Sequence, residues 1–161
     1  MIQAGTPICM VTGDFFLNHP KRSRKLLLVE DDASIRQALA EFLRLEGYDV
    51  ATAIDGEDAI GQVLLQLPDL VISDVLMPVC DGLQLARRLC NLTVPFLLMS
   101  GFGSEGDMGS LRDHPLFVGF TLKPIQIERL LMEIETYFNP RPALSTGGLS
   151  EAMTNDSGVR W

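Results

Sequence analysis

From Lys25 to about Phe138 the chain alternates short apolar runs, rich in leucine and β-branched residues, with longer segments in which apolar residues return at helical spacing. Five runs read as strands apolar on both faces: Lys25–Val29, Tyr48–Ala53, Leu70–Ser73, Phe96–Met99 and Leu116–Thr121. After the first, Ile35, Leu39, Phe42 and Leu43 recur at helical steps and Gly47 follows as a stop, which predicts an amphipathic helix. Ala59, Ile60, Val63 and Leu64 repeat the pattern, as do Leu85, Ala86, Leu89 and Cys90, and then Ile127, Leu130, Leu131 and Ile134 as ordinary core packing. The remaining helix, before the fifth strand, is predicted to be the weakest and to be mobile. Its stretch "GFGSEGDMGSLRDHP" holds four glycines in fifteen residues, each costing up to ~1 kcal/mol relative to alanine inside a helix.

Strands apolar on both faces and separated by helices imply a parallel sheet covered on each side. Right-handed crossovers then narrow the topology to a doubly wound α/β sandwich of three layers, five strands and five helices. In such a fold chemistry gathers at the carboxyl ends of the strands. The expected organisation is an N-terminal extension over residues 1–24, a domain over 25–139 and a disordered tail over 140–161 that is rich in Pro, Gly, Ser and Thr. The extension carries the apolar patches "ICMV" and "FFL" before the basic stretch "KRSRK". It reads as an added strand, a docking arm or simply upstream sequence.

A net charge of −8, from 21 acidic and 13 basic residues, argues against a nucleic-acid-binding surface. No stretch reaches the ~20 apolar residues of a membrane span, and a secretion signal is not recognisable at the N-terminus. A cytoplasmic protein with no membrane contact is expected. Cys9, Cys80 and Cys90 lack metal-ligand spacing and read as reduced thiols, Cys90 as core filler. His19 and His114, far apart and without ligand companions, read as surface histidines.

The stretch "LLLVEDDASIR" empties a buried strand into Glu30, Asp31 and Asp32. Asp32 is placed to cap the helix that follows. Glu30 and Asp31 fall just past the first strand, and Asp74, in "LVISDVLMP", just past the third. With a strand order of 2-1-3-4-5 these carboxylates meet, and a divalent hard cation such as Mg2+ relieves their repulsion better at neutral pH than protonation does. The fourth strand ends at the hydroxyl of Ser100 and the fifth leads to Lys123, so one carboxylate is flanked by a cation, a hydroxyl and an ammonium. The four sites Asp31, Asp74, Ser100 and Lys123 are separated by 43, 26 and 23 residues, about the chain each βα unit needs.

The span from about Lys25 to Phe138 resembles the receiver (CheY-like) domain of two-component response regulators, in the acidic pair of "VEDD", Asp74 in "DVLMP", Ser100 in "LMSG" and Lys123 in "KP". The resemblance implies a flavodoxin-like fold and a phosphoacceptor role for Asp74, the donor being a phosphohistidine on a sensor histidine kinase or a histidine phosphotransfer protein. It implies Mg2+ held by Asp31, Asp74 and the backbone carbonyl of Leu76, with Glu30 assisting through water. Ser100 and Lys123 would hold the phosphoryl oxygens, and Phe120 would match the aromatic switch position. The expected product is a signalling switch rather than an enzyme, acting alone or as a module of a hybrid kinase, with homodimerisation left open. Tyr137, Phe138 and the glycine-rich segment are candidates for its partner surface.

The sequence departs from the usual family pattern in places. Ser100 replaces the commoner threonine, and Phe120 lacks the hydroxyl of the frequent tyrosine. Leu76 and Phe102, each two residues beyond a site residue, are apolar where the water that hydrolyses the acyl phosphate would pass, so slow dephosphorylation is expected. Three rivals were weighed. An aspartate-dependent phosphatase usually carries a second acid where this chain has Leu76. A flavin carrier would find its phosphate repelled by Glu30–Asp32. A receiver-like docking scaffold that takes no phosphate would not need the complete site.

Overall fold

The computed structural model describes residues 24–101, 109 and 111–140. Its elements run β1 (Lys25–Val29), α1 (Ala33–Leu45), β2 (Asp49–Ala53), α2 (Gly56–Gln66), β3 (Leu70–Asp74), α3 (Gly82–Leu92), β4 (Phe96–Ser100), β5 (Phe117–Leu122) and α4 (Ile127–Phe138). The strands form one parallel sheet in the order β2-β1-β3-β4-β5, the flavodoxin-like arrangement. Four helices are present among the described residues. The weak helix expected before β5 falls mostly on residues 102–108 and 110, outside the described residues, as do Cys9, His19, Phe102 and nearly all of both terminal extensions.

Aspartates start three of the helices. Asp32 accepts hydrogen bonds from the N–H groups of Ser34 and Ile35 (2.8 and 2.9 Å), Asp55 from those of Glu57 and Asp58, and Asp81 from that of Gln84. Each satisfies donors that the first turn leaves free and sets a negative charge against the positive end of the helix dipole. The same backbone bonds hold the Asp32 carboxyl below the usual carboxylate range. Two helices stop on residues other than glycine in the left-handed conformation, Leu67 after α2 (φ 47°) and Thr93 after α3 (φ 56°).

The sheet is buried on both faces. Leu27, Val29, Val71, Phe96 and Leu98 pack against α2 and α3 through Ala59, Val63, Leu85, Ala86 and Leu89. Leu26, Leu28, Ile72, Leu97 and Met99 pack against α1 and α4 through Leu39, Leu43, Leu130 and Ile134. Each fully buried leucine contributes ~1.5–3 kcal/mol relative to an exposed one, so the expected cores are sufficient to hold the layers. Cys90 is partly buried against the first cluster, and Cys80 is buried beside Gly56. Two expected core positions fall outside: Ile35 is 39% exposed and Leu64 is 63% exposed. Their helices turn a narrower stripe to the sheet than the apolar spacing suggested. Tyr137 and Phe138, expected on a partner surface, are partly buried against the second cluster. No described helix is long and apolar enough to cross a membrane.

Candidate functional site

The carboxyl ends of β1, β3, β4 and β5 lie side by side because the ladder registers Val29 with Ser73, Asp74 with Met99, and Ser100 with Leu122. Asp74 and Ser100, expected at or just beyond strand ends, are the last residues of β3 and β4. The Glu30 N–H donates to the Ala53 carbonyl at 3.2 Å, extending the ladder and leaving the Glu30 side chain 1% exposed. Asp31 is exposed at the rim and Asp32 turns away to cap α1.

Glu30, Asp31 and Asp74 each offer a carboxylate oxygen within 4.8 Å of the others. Lys123 Nζ donates to Asp74 Oδ2 at 2.5 Å and to Glu30 Oε2 at 2.9 Å. Asp74 Oδ1 accepts from the Leu76 N–H at 3.1 Å, and the Lys123 N–H donates to the Ser100 carbonyl at 2.7 Å, tying β4 to the residue that carries the ammonium. The Lys123–Pro124 peptide is cis. Burial pushes the Glu30 carboxyl above its ordinary value even though Lys123 pulls the other way. For Lys123 burial favours the neutral amine, but its bonds to Asp74 and Glu30 outweigh that and hold the ammonium above the usual lysine range.

At an effective dielectric near 20, two carboxylates 4.8 Å apart repel by about 3 kcal/mol. One ammonium among three carboxylates leaves most of that repulsion uncompensated, and the donor set is all hard oxygen. The residues therefore fit a divalent hard cation such as Mg2+. They also present a nucleophilic carboxylate beside a fixed positive charge.

The other expected site residues fall around this centre. The Ser100 hydroxyl is buried and donates to the Gly101 carbonyl at 3.0 Å. Leu76 follows Asp74 closely with its side chain 68% exposed. Phe120 is half-buried, and the Arg112 guanidinium lies 4.9 Å from its ring centroid. His114 belongs to a turn, its Nδ1 accepting from the Leu116 N–H, with no ligand role.

Some contributors were not legible beforehand. Arg36 Nη1 donates to the carbonyls of Glu30 (2.6 Å) and Asp31 (3.1 Å), pinning the acidic loop from one turn into α1. Gly82 opens α3 so close to Asp74 that a Cβ there would overlap the Asp74 carbonyl. The "CDG" at 80–82, an aspartate cap followed by glycine, was the available signal for that approach.

The sequence profile of the response regulator receiver domain matches residues 26–135. The transcriptional regulatory protein PdtaR of Mycobacterium tuberculosis is 38% identical over 114 residues, covering 70% of this chain and 55% of that protein. The transcriptional regulatory protein PrrA of Mycobacterium bovis is 31% identical over 137 residues, covering 82% and 57%. This chain thus spans little more than half the length of these relatives. Among solved structures, the chemotaxis response regulator CheY4 of Vibrio cholerae superposes with a TM-score of 0.61 at 29% identity, over 70% of this chain and 96% of that one. A response regulator from Chloroflexus aurantiacus gives 0.64 at 29%, over 71% and 97%. Fold, strand-end acids and sequence agree over the same residues, and the chain belongs to the response regulator receiver domain family.

Proposed function

We propose that this domain, spanning residues 25–139, accepts a phosphoryl group on Asp74 and uses it to switch a partner-binding surface. The donor class is a phosphohistidine, carried by a sensor histidine kinase or a histidine phosphotransfer protein. A carboxylate oxygen of Asp74 attacks phosphorus, the P–N bond to the imidazole breaks with its electron pair passing to the ring nitrogen, and an acyl phosphate forms. The transition state is loose and spreads charge over the equatorial oxygens, so the protein acts chiefly by positioning and by fixed positive charge. Lys123 moves its ammonium from the carboxylate to a phosphoryl oxygen, and Ser100 turns its hydroxyl from the Gly101 carbonyl to another. Mg2+, held by Glu30, Asp31, Asp74 and the Leu76 carbonyl, would supply the further positive charge that lets an anionic donor approach three carboxylates.

The observation that carries this reading is the joint grip of Lys123 on Asp74 and Glu30, which joins the carboxyl ends of β1 and β3 to the end of β5. Drawing Ser100 toward the phosphoryl group pulls on β4, and Phe120 and Arg112 lie on the neighbouring strand and the segment before it. That is the switch, and it works through packing because Phe120 has no hydroxyl. The role is signalling in the cytoplasm through a protein partner, not turnover of an external substrate. A phosphatase is disfavoured by leucine at position 76, and direct nucleic-acid contact by the net charge of −8.

Incubation with acetyl phosphate and Mg2+, read by intact mass, tests the reading. Wild type should gain one phosphoryl group and Asp74→Asn none. No gain in wild type, or equal gain in both, overturns it and leaves the docking scaffold.

A further inference from the structure

α2 exposes an apolar strip at its carboxyl end that neither sheet nor neighbouring helix covers. Leu64 is 63% exposed, Leu65 83% and Leu67 72%. One turn earlier Gly61 leaves open space where a side chain would stand, so the leucines at 64 and 65 flank a flat recess. Leu67 holds a left-handed conformation (φ 47°), which costs a residue with a side chain roughly 1–2 kcal/mol. Folding alone would be served as well by glycine or asparagine there. The strip lies at the amino ends of the strands, away from Asp74, because α2 runs antiparallel to the sheet it crosses.

The chain enters the domain beside this strip. The Lys25 N–H donates to Asp69 Oδ2 and the Asp69 N–H to the Lys25 carbonyl, both at 2.8 Å, which sets the start of β1 two residues from Leu67. A crease lined by Lys25, Asp49, Gln62, Gln66 and Pro68 connects the two. Just upstream, outside the described residues, the sequence reads "FFLNHPKRSRK". Lys21, Arg22, Arg24 and Lys25 are basic, and the lip they must cross carries the exposed acids Asp49 and Asp69. From Arg24 back to Leu17 an extended chain reaches about 23 Å, whereas Leu67 and Leu64 are about 5 Å apart along the helix. Reach, charge and apolar character all match.

We propose that Phe15, Phe16 and Leu17 of this same chain pack on the Gly61, Leu64, Leu65 and Leu67 strip, with the basic stretch bridging the Asp49–Asp69 lip. The extension then acts as a strap that closes the α2 side of the domain. This proposal does not depend on phosphorylation.

The test is photo-cross-linking of the full chain with benzoylphenylalanine in place of Phe16. Light and heavy-isotope chains are mixed so that links within a chain are told from links between copies. Links should form within one chain to residues 61–67. Leu65→Glu, a substitution at an exposed position that leaves the core intact, should lower their yield about tenfold, since burying one leucine changes an equilibrium by at least that factor. Links between copies at 61–67 would make a second molecule the occupant and overturn the proposal. So would links concentrated elsewhere, for instance at exposed Leu45, or a yield unmoved by Leu65→Glu.

Discussion

The Lys123 ammonium stands 2.5 Å from Asp74 Oδ2, although 49 residues and the whole of β4 separate the two. The same nitrogen neutralises Glu30, whose side chain is 1% exposed. At ~4 Å and an effective dielectric near 20, a lysine is worth roughly 4 kcal/mol to an anionic oxygen before desolvation is counted. Lys123→Ala should therefore slow phosphorylation by acetyl phosphate about tenfold or more, followed as mass gain against time. Lys123→Arg should not restore the wild-type rate, because a planar guanidinium is longer and cannot replace a compact ammonium between two carboxylates. An alanine variant as fast as wild type would remove Lys123 from the site's chemistry.

How far the sequence foretold this relationship depends on the distance over which each feature is encoded. Strands with both faces buried announce themselves as continuous apolar runs, so β1 to β5 and the acids behind β1 and β3 were legible within a residue or so. Whether Leu64 or Ile35 meets the sheet depends on how wide a stripe the sheet and neighbouring helix cover, and helical spacing alone does not contain that. Gly82 against the Asp74 carbonyl and Arg36 against the Glu30 carbonyl are likewise tertiary. Lys123 was legible because topology, not side-chain packing, brings it to the other strand ends.

Mg2+ should stabilise the domain through the carboxylates that converge within 4.8 Å. A ligand that binds only the folded state contributes RT ln(1 + [L]/Kd), about 2.7 kcal/mol at a hundred times Kd. Wild type should thus resist urea better when Mg2+ is added, and Asp31→Asn should lose most of the gain. Asp31 is exposed, so its substitution should leave the metal-free midpoint nearly unchanged. An equal Mg2+ response in both proteins would place the cation elsewhere.

Val79 adopts φ 69° with its side chain 81% exposed. A left-handed conformation costs an ordinary residue roughly 1–2 kcal/mol, and branching at Cβ makes it worse. Glycine relieves that but has more freedom to lose on folding, at ~0.5–1 kcal/mol. Val79→Gly should raise stability by about 0.5–1 kcal/mol, seen as a higher urea midpoint at unchanged slope. A lower midpoint would mean that Val79 makes contacts worth more than its strain.

Thr121 is fully buried, and its hydroxyl has no hydrogen-bond partner among the described residues. Leaving such a group without a partner costs about 1–3 kcal/mol. Valine keeps the branched shape and removes the polar atom, so Thr121→Val should stabilise the domain by about 1 kcal/mol in urea unfolding. It should leave the mass gain with acetyl phosphate intact. If stability is unchanged but phosphorylation falters, the hydroxyl is held in reserve for the phosphorylated state.

Leu76 donates its N–H to Asp74 Oδ1 yet keeps its side chain 68% exposed, so it stands between the proposed acyl phosphate and solvent. An apolar side chain there cannot hold a water by hydrogen bonding in line with the P–O bond. Water must arrive unaided, and positioning is a large part of what such a reaction needs. Leu76→Asn supplies a carbonyl and an amide at the same place and should shorten the lifetime of the phosphorylated form about tenfold, measured as loss of the added mass after the donor is removed. Leu76→Ala separates the two ways this could happen, because it opens the path without orienting anything. If alanine accelerates hydrolysis as much as asparagine does, the leucine acts as a barrier, and if neither does, position 76 has no part in setting the lifetime.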